Sequence, residues 1–125
     1  MKILVVDDEK DIQILFEQRF RKEIRSGEAQ LVFAFSGEEA LQFLNSNDHG
    51  AILILSDINM PGMSGLELLK QIKNKYKAPP PVVMMITAYG DAENYNNAIS
   101  LGADDFLTKP LDFAILKDKL KSLVV

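Results

Sequence analysis

The sequence predicts an open α/β fold of the (βα)5 type, a doubly wound sheet of five parallel strands with helices on both faces. Five short apolar runs alternate along the chain with longer amphipathic stretches. Four of these runs are continuously apolar, which is typical of strands that helices cover on both faces. The chain has 125 residues, about half of what a closed eight-stranded α/β barrel needs. We therefore expect one open-sheet domain that spans residues 1–125.

The five apolar runs are the predicted strands. The first four are rich in β-branched or bulky apolar residues, which favour strands, and the fifth is short. The runs are Ile3–Val6, Leu31–Phe35, Ile52–Leu55, Val82–Ile86 and Phe106–Leu107.

The stretches between the runs predict five helices. Apolar residues at three- and four-residue steps predict the first helix over about Asp11–Arg25. Ser36 and Ser64 each precede a glutamate by three residues, a capping-box signal for the start of the second and third helices. We expect Gly102 to end the fourth helix and the fifth helix to begin at about Asp112.

The composition excludes several classes of function. The chain has no cysteine and one histidine, so it cannot form a zinc–thiolate cluster, an iron–sulfur site or a multi-histidine metal site. Fourteen Lys and Arg against 18 Asp and Glu give a net charge of −4, which argues against direct nucleic-acid binding. The sequence has neither an apolar stretch that could cross a bilayer nor a secretory signal, so we predict a cytoplasmic protein without a membrane partner.

Polar and ionisable residues follow four of the five predicted strands. Asp7 and Asp8 follow the first strand, and Asp57 follows the third. Thr87 follows the fourth strand and Lys109 the fifth. Each has an ordinary structural explanation when taken alone, such as an acidic pair that stabilises a helix N-terminus. Because ligands bind at the carboxyl ends of the strands in open α/β sheets, their joint placement predicts a functional site there.

The residue types at this edge indicate phosphoryl transfer. Three carboxylates that lie together repel one another, and a hard divalent cation relieves that repulsion. Oxygen ligands without cysteine or histidine favour Mg²⁺ or Mn²⁺. Lys109 can bind a phosphate as a point charge, and Thr87 can donate from its hydroxyl. A carboxylate nucleophile in such surroundings suits phosphoryl transfer onto aspartate.

This set of motifs resembles the receiver domain of two-component response regulators. The resemblance covers essentially the whole chain, and the motifs occur in the family's order. It implies the sheet order 2-1-3-4-5, which makes Asp8 and Asp57 neighbours. The motifs are Asp7-Asp8, Asp57-Ile58-Asn59-Met60-Pro61-Gly62-Met63-Ser64-Gly65, Thr87-Ala88, Phe106 and Lys109-Pro110.

The resemblance also implies a role for each site residue. Asp57 would accept a phosphoryl group from a phosphohistidine on a sensor histidine kinase or a histidine phosphotransfer protein. Asp8 and Asp57 would bind Mg²⁺ through their carboxylates. Asn59 would bind the ion through its backbone carbonyl, and Asp7 would bind it through water. Lys109 would pair first with Asp57 and then with the phosphoryl oxygens.

The family's switch implies a further set of residues. Thr87 would move inward to the phosphoryl group, and Phe106 would fill the space that it leaves. The output surface for a downstream effector would be the fourth helix, the fifth strand and the fifth helix. The expected surface residues are Tyr95, Ile99, Ile115 and Lys119.

Two positions are expected to tune the phosphoryl lifetime. In the family these are the second residues after the phosphoacceptor and after the switch hydroxyl, here Asn59 and Tyr89. The ring of Tyr89 could shield an acyl phosphate from water, and a surface tyrosine without kinetic effect is the equal alternative. The resemblance also implies a cis Lys109–Pro110 bond.

Other functions remain open on the residues alone. An aspartyl-phosphate phosphatase would typically need a second Asp two residues after the nucleophile, where this chain has Asn59. A receiver-like interaction module that is never phosphorylated is a second alternative. We expect no enzymatic activity beyond the chain's own phosphorylation and dephosphorylation. Dimerisation on phosphorylation stays open, as does the choice between a stand-alone receiver and part of a larger regulator.

Overall fold

A computed structural model of the chain describes residues 1–46, 52–76, 81–88 and 92–123. Its strands form one parallel sheet in the order β2-β1-β3-β4-β5. The five predicted strands and their order are therefore confirmed, with differences only at the strand ends. The strands are β1 (Lys2–Val6), β2 (Gln30–Ala34), β3 (Leu53–Asp57), β4 (Val82–Thr87) and β5 (Asp105–Thr108).

Six helices lie within the described residues, and none is long and apolar enough to cross a membrane. The predicted fourth and fifth helices are the fifth and sixth observed ones, because the predicted first helix is divided in two. The helices are α1 (Asp11–Arg19), α2 (Arg21–Ser26), α3 (Gly37–Ser46), α4 (Gly65–Lys75), α5 (Ala92–Ser100) and α6 (Phe113–Leu123).

The prediction of one continuous first helix is wrong at Phe20. The backbone of Phe20 has φ −103° and ψ 18°, which is not helical, while its ring is buried. The ammonium of Lys117 on α6 donates to the Arg19 carbonyl at 2.7 Å and pairs with Glu23 at 3.0 Å. Burial of the ring and satisfaction of the carbonyl by another element stabilise a break that the periodicity alone does not show.

The core has two layers, one on each face of the sheet. Along β1, Ile3 and Val5 pack with α1 and α6, whereas Leu4 and Val6 pack with α3, α4 and α5. All four side chains are at most 1% exposed. Because both faces are covered, the strand is continuously apolar, as the sequence pattern indicated.

The predicted caps are present where the structure describes them. The hydroxyls of Ser36 and Ser64 accept backbone N–H groups three residues further on, at 3.0 and 3.2 Å. At the predicted start of the last helix, a carboxylate oxygen of Asp112 also accepts two N–H groups, a cap that was not predicted. Gly102 follows α5 with φ +94°, a conformation that glycine adopts without strain.

Strand register brings the polar ends of the strands together. Val6 lies opposite Ser56, so the residues after β1 and the end of β3 are adjacent. Asp57 lies opposite Ile86, which places Thr87 close by on β4. Thr87 in turn lies opposite Thr108 at the end of β5. The carboxyl ends of β1, β3, β4 and β5 therefore form one edge.

Candidate functional site at the carboxyl ends of the strands

Three carboxylates meet at this edge. One carboxylate oxygen from each of Asp7, Asp8 and Asp57 lies within 4.8 Å of the others. Asp7 and Asp57 are 4% and 3% exposed, and Asp8 faces solvent. The N–H of Asp7 donates to the Ala34 carbonyl at 3.1 Å, which continues the pairing of β1 with β2. The structure thus brings together the three acidic residues that the sequence predicted.

Lys109 provides a positive charge beside these carboxylates. Its Nζ donates to Asp57 Oδ2 at 2.7 Å. The backbone N–H of Lys109 donates to the Thr87 carbonyl at 2.9 Å, and the Lys109–Pro110 bond is cis, as expected. Burial lowers the pKa of Lys109, but Asp57, Asp7 and Glu9 outweigh that effect, so the pKa is raised. The ammonium therefore stays protonated beside Asp57.

The start of the loop after Asp57 is bonded to both β4 and α4. The N–H of Ile58 donates to the Ile86 carbonyl at 3.1 Å, and the Ile58 carbonyl accepts from Gly65 N–H at 2.8 Å. The N–H of Asn59 donates to Asp57 Oδ1 at 3.4 Å, which is a long bond. A Cβ atom on Gly65 would lie 2.1 Å from the Asp57 carbonyl oxygen. The sequence analysis assigned Gly65 no role of its own, because the sequence does not show how closely the backbone of Asp57 approaches this position.

The residues of the predicted switch lie on neighbouring strands. Thr87 is 3% exposed at the end of β4. Phe106 lies on β5 opposite Met85, two residues before Thr87, and is half-buried. The ring of Phe106 contacts that of Tyr95 on α5, with 4.4 Å between ring centroids. Tyr89, the predicted tuning residue, lies outside the described residues.

The predicted output surface contains a shallow cavity. It has a volume of about 330 Å³ and is lined partly by Tyr95, Phe106, Ile115 and Lys119. Ile99, the other predicted member, is 49% exposed on α5. Tyr95, Ile115 and Lys119 therefore line one cavity between α5, β5 and α6, and Ile99 is exposed on the same helix as Tyr95.

The acidic residues fit a divalent cation. Burial raises the pKa of Asp7 most, and the charges of Asp57 and Asp8 raise it further, against a hydrogen bond from Glu9 N–H. Three carboxylates beside the single charge of Lys109 leave an excess of negative charge. A small oxygen-ligated cation such as Mg²⁺ relieves that excess, and the donor set contains only oxygen.

We expect Asp7→Asn to raise the melting temperature of the metal-free chain by a few degrees at neutral pH. Folding raises the pKa of Asp7, so protonation of Asp7 favours the folded state. This contribution to the free energy of unfolding is complete below the unfolded pKa and is lost as pH rises through the folded pKa. The variant is neutral throughout, so its advantage shrinks as pH falls to about 4. Thermal unfolding across pH measures this, with exposed Asp118→Asn as the control. A less stable Asp7→Asn at neutral pH would contradict it.

Comparisons of the sequence with known proteins give one family. The family model described as the response regulator receiver domain matches residues 3–121. A chemotaxis protein CheY homolog from Campylobacter jejuni is 32% identical over 124 residues, covering 99% of this chain and 92% of that protein. Response regulator RppA from Synechocystis is 33% identical over 123 residues, covering 98% of this chain and 50% of the relative.

Comparison of the fold gives the same family. A two-component response regulator from Clostridium difficile superposes with a TM-score of 0.84 at 27% identity, covering 99% of this chain and 95% of that one. Chemotaxis protein CheY4 from Vibrio cholerae superposes with a TM-score of 0.81 at 25% identity, covering 98% of both chains. This chain therefore belongs to the response regulator receiver family, whose members are signalling domains of two-component systems.

Proposed function

We propose that this chain is a Mg²⁺-dependent phosphoacceptor switch that takes a phosphoryl group onto Asp57. The donor would be a phosphohistidine on a sensor histidine kinase or a histidine phosphotransfer protein. The observation that carries the proposal is the buried Asp57 carboxylate, 2.7 Å from the Lys109 ammonium and grouped with Asp7 and Asp8. Receiver domains bind Mg²⁺ at such an acidic cluster.

The chain's own residues supply the nucleophile, Asp57, and the positive charge of Lys109 beside it. Asp57 Oδ2 is held by Lys109, whereas among the described residues Oδ1 has only the long bond from Asn59 N–H, so Oδ1 is the freer oxygen for attack. The ammonium of Lys109 would then stabilise charge that develops on the phosphoryl oxygens. Thr87, at the end of the adjacent strand, would donate a hydrogen bond from its hydroxyl to the same phosphoryl group.

A divalent ion at the site would neutralise the phosphoryl oxygens and orient the donor. Asp8 and Asp57 would hold it through carboxylates, and Asn59 would hold it through its backbone carbonyl. Asp7 would act through water. The ion would also relieve the repulsion that raises the pKa of Asp7.

The output surface for a downstream effector would be the one formed by α5, β5 and α6. Movement of Thr87 toward the phosphoryl group would free space on β4, and Phe106 on the neighbouring strand would fill it. Since the rings of Phe106 and Tyr95 are in contact, such a movement would change the surface at Tyr95. A downstream effector would then distinguish the two packings by its different affinity for each.

The intact mass of the chain after incubation with acetyl phosphate, with and without Mg²⁺, tests the function. We expect one phosphoryl adduct per chain, dependent on Mg²⁺ and slow to decay. Steady turnover of a phosphomonoester would instead support the phosphatase alternative, which Asn59 at the expected general-acid position disfavours. Absence of an adduct under all conditions would overturn the proposal and leave an interaction module.

A further inference from the structure

The β3–α4 loop, residues 58–64, is anchored firmly at its two ends. At one end Ile58 bonds to β4, and at the other the Ser64 hydroxyl caps α4. Toward the acidic site the loop has the long bond from Asn59 N–H to Asp57 Oδ1, at 3.4 Å. Between these ends the loop is held by Met60, which is 8% exposed and packs in the core, and by contacts on its outer side.

Those outer contacts come from the first turn of α3. Glu38 Oε1 accepts the backbone N–H of Met63 at 3.2 Å. A Cβ atom on Gly62, where φ is +74°, would lie 3.3 Å from Glu38 Oε2. A Cβ atom on Gly37 would lie 2.8 Å from the sulfur of Met63. The start of α3 thus meets two consecutive residues of the loop, once through a charged hydrogen bond and once through close packing.

The neighbouring glutamate has a different function. Glu39 Oε1 accepts the N–H of Phe35 at 3.2 Å, so it caps the helix on which it lies. Both acids lie in the first turn of α3 and both favour the helix dipole. Glu38 alone of the two reaches the β3–α4 loop, 25 residues further along the chain. Helix stabilisation therefore does not account for the geometry of Glu38.

We propose that Glu38 is a positioning residue for the metal site, because it holds the β3–α4 loop at Met63 and so fixes the place of the Asn59 carbonyl. The inference rests on the proposed function, in which that carbonyl binds the ion. Groups that orient metal ligands without touching the metal typically change metal affinity by about 10- to 100-fold when removed. Glu38 would orient Asn59 in this way, because Met63, which it binds, and Asn59 belong to the same short loop.

Three variants separate the reach of the side chain from its charge. Glu38→Gln keeps the length and an acceptor oxygen, Glu38→Asp keeps the charge but is shorter by one methylene, and Glu38→Ala removes both. Glu39→Ala is the matched control, since it removes the same charge from the same helical turn. The measurements are Mg²⁺ affinity by NMR titration, hydrogen exchange of the Met63 amide without metal, and thermal unfolding.

We expect Glu38→Ala and Glu38→Asp to weaken Mg²⁺ binding about tenfold and to speed exchange at Met63. Glu38→Gln should stay within about threefold of wild type in affinity because the acceptor remains. Glu39→Ala should lower the melting temperature without changing affinity. Affinity unchanged in Glu38→Ala, or lowered equally in Glu39→Ala, would overturn the inference alone. A wild-type chain that binds no Mg²⁺ would overturn both this inference and the metal dependence of the proposed function.

Discussion

Replacement of Asp57 by Asn is expected to abolish the Mg²⁺-dependent phosphoryl adduct, with a loss of rate of at least about a thousandfold. An amide has nearly the shape of the carboxylate but lacks its nucleophilic charge. It also replaces the acceptor of a 2.7 Å ion pair with a neutral group, so Lys109 is no longer matched to a charge at position 57. Intact mass after incubation with acetyl phosphate measures the loss.

The fold should survive this change. Asp57 is 3% exposed and contributes one of three adjacent negative charges, so the neutral variant relieves repulsion on Asp7. Circular dichroism should therefore match that of wild type. The control is Asp118→Asn, the same substitution at an exposed position of α6, which should keep the adduct. An adduct in Asp57→Asn that forms at the wild-type rate and requires Mg²⁺ would contradict the assignment.

Gly65→Ala is expected to destabilise the chain by about 3 kcal/mol and to displace the Asp57 backbone. A Cβ atom at this position would lie 2.1 Å from the Asp57 carbonyl oxygen and 2.7 Å from Ile58 Cα. Both are backbone atoms, so no side-chain rotation relieves the clash. Alanine within a helix ordinarily stabilises relative to glycine by about 1 kcal/mol, so the predicted sign is opposite to the helix propensity.

Gly37→Ala is the matched control for this prediction. Gly37 also begins a helix, but the three atoms nearest to its Cβ would be side-chain atoms of Met63 and not backbone atoms: Sδ at 2.8 Å, and Cβ and Cγ at 3.0 Å. We therefore expect a smaller loss of stability than for Gly65→Ala. Urea unfolding followed by circular dichroism compares the two variants. Equal stability of both, or a stabilised Gly65→Ala, would refute the role given to this contact.

The sequence predicted the sheet more accurately than the first helix. Short continuous apolar runs rich in β-branched residues, such as Ile3–Val6, are typical of a strand covered on both faces. The apolar spacing around Phe20 is equally consistent with a straight and with a broken helix. The break depends on burial of the Phe20 ring and on the bond from Lys117, which lies 98 residues away from Arg19. Periodicity within one segment contains no information about such a partner.

At the candidate site too, the sequence predicted features set by strand order and not those that depend on tertiary packing. Asp7, Asp8, Asp57 and Lys109 could be grouped from the sequence because parallel strands place their carboxyl ends at one edge. The bond from Met63 to Glu38 could not, since it joins a loop to the first turn of α3 and depends on how that helix packs. Roles for Asn59 and Tyr89 in phosphoryl lifetime stay predictions.

Chemical trapping of the acyl phosphate tests whether Asp57 itself is the phosphoacceptor. Borohydride reduces an aspartyl phosphate to homoserine, which leaves a permanent mass change at the modified residue. The phosphorylated chain would be reduced, digested and sequenced by tandem mass spectrometry. We expect homoserine at position 57 in wild type after incubation with Mg²⁺ and acetyl phosphate. Homoserine at Asp7 or Asp8, or a phosphoryl group retained on a hydroxyl, would contradict it.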